Sequence, residues 1–204
     1  MKVQFLSLLE RLGIKNNSEE LFIQLSSLYS EKSRFYHNLS HIEHVLSEFK
    51  DARELTENPN AVEFALWYHD SIYNPQMKCN EEKSAEFAAE VCKNSGIPLI
   101  FANYAKKLIL ITRHLELPKS FDEKVIVDCD LSILGQPKEV FDEYEKNIRK
   151  EYSFVSEEDF RKGRASILQN FLKRKSIYST ELFRQKYESS ARKNLERSLA
   201  RLSV

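Results

Sequence analysis

The sequence predicts an all-α fold, on three observations. Apolar residues recur every three to four positions through most of the chain, the spacing that lines them up along one face of a helix. Only 4 of the 204 residues are glycine and 5 are proline, few for a fold of many strands and tight turns. The apolar stripes are separated by short segments with helix starts (Asn, Ser, Pro) and helix stops (Gly, Pro). At this length, with 42% hydrophobic residues, the chain can bury a core of its own.

In chain order, Val3 to Leu12 places Phe5, Leu8, Leu9 and Leu12 on one face, and Gly13 closes the helix. This amphipathic start reads as a helix rather than a signal peptide. Asn17 or Ser18 caps a second helix, with Glu19 and Glu20 in the first turn where the dipole favours negative charge. Ser40 and Glu43 form a capping-box pattern, which makes Ser40 the N-cap and His41 the first helical residue. Asn58-Pro59 opens a helix that is apolar nearly all round through Trp67, so it is expected to be buried; it ends near His69-Asp70, ahead of Asn74-Pro75. Asn80 caps a helix that starts Glu81-Glu82 and ends at Gly96 and Pro98, and Leu99 to His114 forms a long apolar helix. Val125 to Gly135 fits a buried helix better than an isolated strand. Lys138 to Tyr152, Glu157 to Lys173 and Thr180 to Leu202 read as charged amphipathic helices. The stripe Tyr187, Ala191, Leu195, Leu199 and Leu202 on the last one docks on the core or on a second subunit of a homodimer.

Composition excludes several classes of function. Lysine plus arginine and aspartate plus glutamate both number 31, giving a net charge of zero. No overall field favours nucleic acid or a membrane surface. No apolar run approaches the roughly 20 residues of a membrane span. The three cysteines, Cys79, Cys92 and Cys129, are scattered and form no C-x-x-C pair. A disulfide framework or zinc ribbon is not expected, and a reducing, cytoplasmic compartment fits best.

The histidines carry the chemistry. There are five: His37, His41, His44, His69 and His114. The first three crowd around one helix start, with His37 in the preceding loop and His44 on a face adjacent to His41. His69-Asp70 ends an apolar helix, where a carboxylate meets the wrong end of the helix dipole. A bound cation is the simplest compensation; a buried His–Asp hydrogen bond without metal is the alternative. Asp128 and Asp130 lie inside an apolar run, a costly position unless paired or metal-bound, so at least one is assigned to the cation. His114 lies either in the site or at the edge of the core. Arg161 and Arg164 are candidates for an anion site among otherwise solvated charges.

The order His41, His69-Asp70, Asp130 resembles the signature of the HD superfamily of metal-dependent phosphohydrolases. His41-Ile42-Glu43-His44-Val45 is similar to the first motif of that family, and Asp128-Cys129-Asp130-Leu131 is similar to its last. Tyr36 to His41, Trp67 to Tyr73 and Asn80 to Ala85 resemble one subgroup, predicted metal-dependent HD phosphohydrolases of unknown substrate. Arg149, Tyr152, Arg161, Gly163, Arg164 and Tyr178 also suit that subgroup. The resemblance covers most of residues 30 to 195. It implies a single HD-type helical bundle over residues 1–204, with a metal-binding core at about 30–135 and C-terminal helices at 137–202 packed on it. It implies His41, His69, Asp70 and Asp130 as the metal ligands, with Asp128 as a supporting or alternative acid.

Such a mixed nitrogen and oxygen set suits Mn, Fe, Co, Ni or Zn better than Ca. One ion is expected, or two if His37, His44 and His114 contribute. The ion would acidify bound water and polarise a phosphoryl oxygen. The general base would come from Asp128, Glu81, Glu82 or His114. Arg34, Arg113, Arg161 and Arg164 are the candidates for meeting phosphoryl charge. The expected function is hydrolysis of a small phosphorylated metabolite, a nucleotide first among them. A di-metal oxygenase on the same fold and a non-catalytic metal- or nucleotide-binding regulatory module are the alternatives.

Overall fold

The computed structural model describes residues 1–202 and is all-α, with ten helices, two short 3-10 turns and no strand among those residues. The helices are α1 (Lys2–Arg11), α2 (Ser18–Tyr29), α3 (Leu39–Ala52), α4 (Pro59–Tyr68), α5 (Asn80–Asn94), α6 (Leu99–Ile111), α7 (Phe121–Leu131), α8 (Lys138–Glu151), α9 (Glu157–Leu172) and α10 (Glu181–Leu202). No helix among the described residues is long and apolar enough to cross a membrane.

The core is built around α4. Every residue from Ala61 to Tyr68 is buried, as expected of a helix apolar on all sides. Neighbours α1, α3, α5, α6 and α7 pack around it. Phe5 meets Trp67 edge-to-face at 5.0 Å, and the buried Tyr29 hydroxyl donates to the Trp67 carbonyl at 2.9 Å. Glu63 is the one acid on this helix. It is buried, and it is neutralised by Arg11 at 2.6 Å and Arg53 at 2.7 Å.

The helix starts depart from the sequence reading in three places. Asn38, not Ser40, caps α3: its side chain accepts from the Ser40 backbone at 2.9 Å, so the helix begins two residues earlier and the Ser40–Glu43 box does not form. The complete capping box belongs to α7, where Ser120 and Glu123 satisfy each other's backbone N–H groups. Asn80 lies inside α5 rather than at its cap, because its amide is committed to the Asn74 backbone. The helix expected over Leu99 to His114 stops at Ile111, and His114 adopts a left-handed backbone with φ of 57°.

The last helix packs on its own chain. Tyr187, Ala191 and Leu195 are buried, and α10 lies against α9 and the 3-10 turn Ser132–Gly135. A Cβ added to Gly135 would sit 2.5 Å from Tyr187 Cβ, so glycine is what permits this approach. Asn194 donates to the carbonyls of Leu134 and Gln136, both at 2.9 Å, and Tyr178 donates to that of Leu131 at 3.0 Å. These bonds satisfy carbonyls left open where α7 ends.

Candidate metal centre

Three helix ends meet at one point. His41 comes from the first turn of α3, His69 and Asp70 from the end of α4, and Asp130 from the last turn of α7. The His41 and His69 Nε2 atoms lie 3.1 Å apart. Asp70 Oδ2 is 3.4 Å from His41 Nε2 and 3.1 Å from His69 Nε2. Asp130 Oδ1 is 3.4 Å and 3.5 Å from the same two nitrogens. His41, His69 and Asp130 present ligand atoms within 4.8 Å of one another, and Asp70 reaches both imidazoles beside them.

These spacings fit a transition metal. Donors about 2.1 Å from an ion lie roughly 3.0 Å apart at right angles and roughly 3.4 Å apart at the tetrahedral angle. The tautomer fits as well. His69 Nδ1 donates to the Leu66 carbonyl at 2.9 Å, which turns the Nε2 lone pair toward the cluster. Two carboxylates would balance the charge of a divalent cation, with the ion taking the place of the proton that they otherwise hold on His69. His41 Nδ1 is buried without a hydrogen-bond partner.

Burial disfavours every charge here, and the neighbours decide the outcome. Burial lowers the His41 pKa and keeps that ring neutral. Burial also acts to raise Asp70 and Asp130, but the imidazoles around them more than offset it and hold both below the usual carboxylate range. For His69 burial acts downward, yet Asp70 and Asp130 raise its pKa well above the ordinary value.

The surrounding residues sort by what they touch. His114 Nε2 contacts Asp130 Oδ2 at 2.8 Å, so it supports that ligand from outside the cluster. His37 faces the same cavity, with Nδ1 held by Glu151 at 2.7 Å. Glu151 has a fully buried side chain and also accepts from the Tyr36 and His37 backbone and from Tyr73. For His37 burial acts to lower the pKa, but the Glu151 bond together with the charges of Asp70, Glu151 and Asp130 outweighs it, and the ring stands above its ordinary value. Glu81 lines the cavity and is pushed up by burial.

Several residues singled out in the sequence do other work. Asp128 points away from the cluster. It accepts from Ser179 N, Thr180 N and Thr180 Oγ1, each at 2.7 Å, and so holds the start of α10. It is neither a ligand nor a base. His44 is bonded to Ser132 Oγ at 2.8 Å. Glu82 is paired with Arg113 at 2.6 Å. Arg161 is spent on the carbonyls of Arg201 and Leu202 at the far end of α10. Arg34 is buried behind the site, donating to the carbonyls of His37, Asp70 and Ser71. It offsets the negative end of α4 and fixes the turn that carries Asp70, rather than meeting a phosphoryl group.

The cluster opens onto a cavity of about 730 Å³. It is lined by the polar His37, Asp70, Glu81, His114 and Asp130 and by the aromatic Tyr144, Tyr152, Phe160 and Phe171. Arg113 and Arg164 also face it. The buried Arg164 is paired with Glu145 and donates to the Tyr144 hydroxyl at 2.8 Å.

Two residues beside the site gave no warning in the sequence: Glu151, which holds His37, and Arg174, which lines the cavity. Glu151 sits in the charged run Arg149-Lys150-Glu151-Tyr152 and looks solvated there, and Arg174 lies in the middle of another, Lys173-Arg174-Lys175. No family model, curated protein or solved structure matches the chain.

Proposed function

We propose that the protein is a metal-dependent phosphohydrolase acting on a small phosphorylated metabolite, a nucleotide first among them. One observation carries this reading: two imidazole nitrogens and two carboxylates converge within 3.1–3.5 Å contacts at the wall of a cavity far larger than a phosphate group. His41, His69, Asp70 and Asp130 would hold a divalent transition metal. When bound, such an ion acts as a Lewis acid toward a phosphoryl oxygen and makes water a nucleophile near neutral pH.

The chain's own residues supply the proton handling. Glu81, raised by burial and facing the cavity, is placed to accept a proton from attacking water. A carboxylate shifted toward neutrality is matched to that task. His37 is held through Nδ1 by Glu151, and its Nε2 has no partner among the described residues. That nitrogen is the proton donor for the leaving oxygen. The aromatic side chains that line the cavity present flat surface to a ring-bearing substrate.

The bonds of His44 to Ser132 and of His37 to Glu151 favour one ion over two, which weakens the di-metal oxygenase reading. The test is metal analysis of the purified protein with a screen of phosphomonoesters, nucleotides and cyclic nucleotides. Metal-stimulated release of phosphate or pyrophosphate is expected. A metal-loaded protein inert across the panel but stabilised by a nucleotide supports the regulatory module instead.

A further inference from the structure

Four basic side chains line the cavity: Lys78, Arg113, Arg164 and Arg174. Lys78 is exposed at its edge. Arg113 is neutralised by Glu82 and Arg164 by Glu145. Arg174 differs from both. Its guanidinium makes one hydrogen bond, to the His114 carbonyl at 3.1 Å, and lies over the Phe171 ring at 4.6 Å from the centroid. It has no carboxylate partner among the described residues, and burial lowers its pKa.

A half-buried guanidinium without an opposing charge gives up part of its hydration without an ion pair in return. The ring beneath it and the carbonyl beside it fix its direction but leave the charge unanswered. An oxyanion presenting two oxygens is the ligand that a guanidinium fork fits best. The fork is also tied to the metal cluster. The carbonyl it holds belongs to His114, whose ring bonds Asp130 at 2.8 Å, and whose left-handed backbone is rare for a residue other than glycine.

We propose that Arg174 binds the anionic group of the cavity's ligand, a phosphoryl oxyanion, and thereby selects phosphorylated over neutral ligands. This rests on the reading of the cavity as a phosphohydrolase site, and it assigns the recognition to a residue outside the metal cluster.

The test uses the full-length protein with two separate titrations, manganese alone and inorganic phosphate on the manganese-loaded protein. Arg174→Gln is expected to weaken phosphate binding about tenfold or more, with manganese affinity changed by less than about twofold, since Arg174 contacts no ligand side chain. Arg174→Lys keeps the charge without the fork and is expected to lose about threefold. Unchanged phosphate affinity in both variants overturns the proposal. So does a parallel loss of manganese affinity, which would mean that Arg174 only holds His114 against Asp130. Should Arg174→Gln not fold, the Lys variant carries the comparison, and unchanged affinity there overturns the proposal. A wild-type protein that takes manganese but no phosphate overturns it as well. Phosphate binding that depends on Arg174 in a protein that takes up no manganese supports Arg174 and overturns the metal reading.

Discussion

Asp128 and Asp130 leave the same helix in opposite directions, because two residues advance an α-helix by about 200°. Asp130 faces His69 and His114 on the cavity side. Asp128 faces the neutral N–H and O–H donors of Ser179 and Thr180 at the start of α10. Burial acts to raise both carboxyls. The imidazoles drive Asp130 below the ordinary range, while the donors around Asp128 leave it pushed up to about 6. Burial is thus shared and the charge of the neighbours is not. One face of α7 presents a negative charge to the imidazoles of His69 and His114, and the other anchors the C-terminal helix.

The largest expected effect separates the two faces by metal affinity. Asp130→Ala and His69→Ala are each expected to weaken metal binding by at least about a hundredfold, beyond what loss of a supporting residue costs. Titration with manganese or cobalt reads this, and a thermal melt shows whether each variant is folded. Asp128→Ala is expected to do the reverse. It leaves three buried donors unsatisfied and costs about 3 kcal/mol in denaturant unfolding, with metal affinity intact. A fall in metal affinity there would erase the distinction.

A pH series sharpens the same contrast. The folded pKa of Asp128 stands near 6, above an unfolded value of about 3.9. Its contribution is therefore fully present below about pH 4 and lost as pH rises through about 6, a change of order 2–3 kcal/mol. Asp128→Asn is expected to abolish that slope between pH 4 and 7. A variant that keeps the slope assigns it to another group. The smallest effect probes the docking of α10. Gly135→Ala forces Tyr187 to move and is expected to cost about 1–2 kcal/mol, with metal affinity unaffected; an unchanged melting temperature would show that the turn gives way freely.

Much of this fold could be read from local signals. Apolar periods and runs located each helix among the described residues, although the one read over Val125 to Gly135 begins at Phe121 and ends at Leu131, and the all-round apolar character of α4 marked it as buried. Caps were read less well, for a definite reason. Ser40–Glu43 and Ser120–Glu123 carry the same pattern, but Asn38 takes the first cap two residues earlier, so only the second box forms. That the histidines and acids near helix ends form one site was suggested by their small number and crowding; the set His41, His69, Asp70 and Asp130 was what the family resemblance implied, and these four side chains do meet. The preference for Asp130 over Asp128 came from the resemblance of Asp128-Cys129-Asp130-Leu131 to a family motif; what Asp128 does instead needed the orientation of α7. Arg34, Glu151 and Arg174 were misjudged or missed because their roles depend on burial and on partners distant in sequence. Glu151, for example, reaches back 114 residues to His37.

The central claim is that the cavity face of α7 holds a metal and the opposite face does not. Metal content of wild type, Asp128→Asn and Asp130→Asn, purified in parallel and measured by inductively coupled plasma mass spectrometry, tests it most directly. Wild type and Asp128→Asn are expected to carry about one transition-metal ion per chain and Asp130→Asn almost none. Metal retained by Asp130→Asn, or lost from Asp128→Asn while its fold is intact, would contradict it.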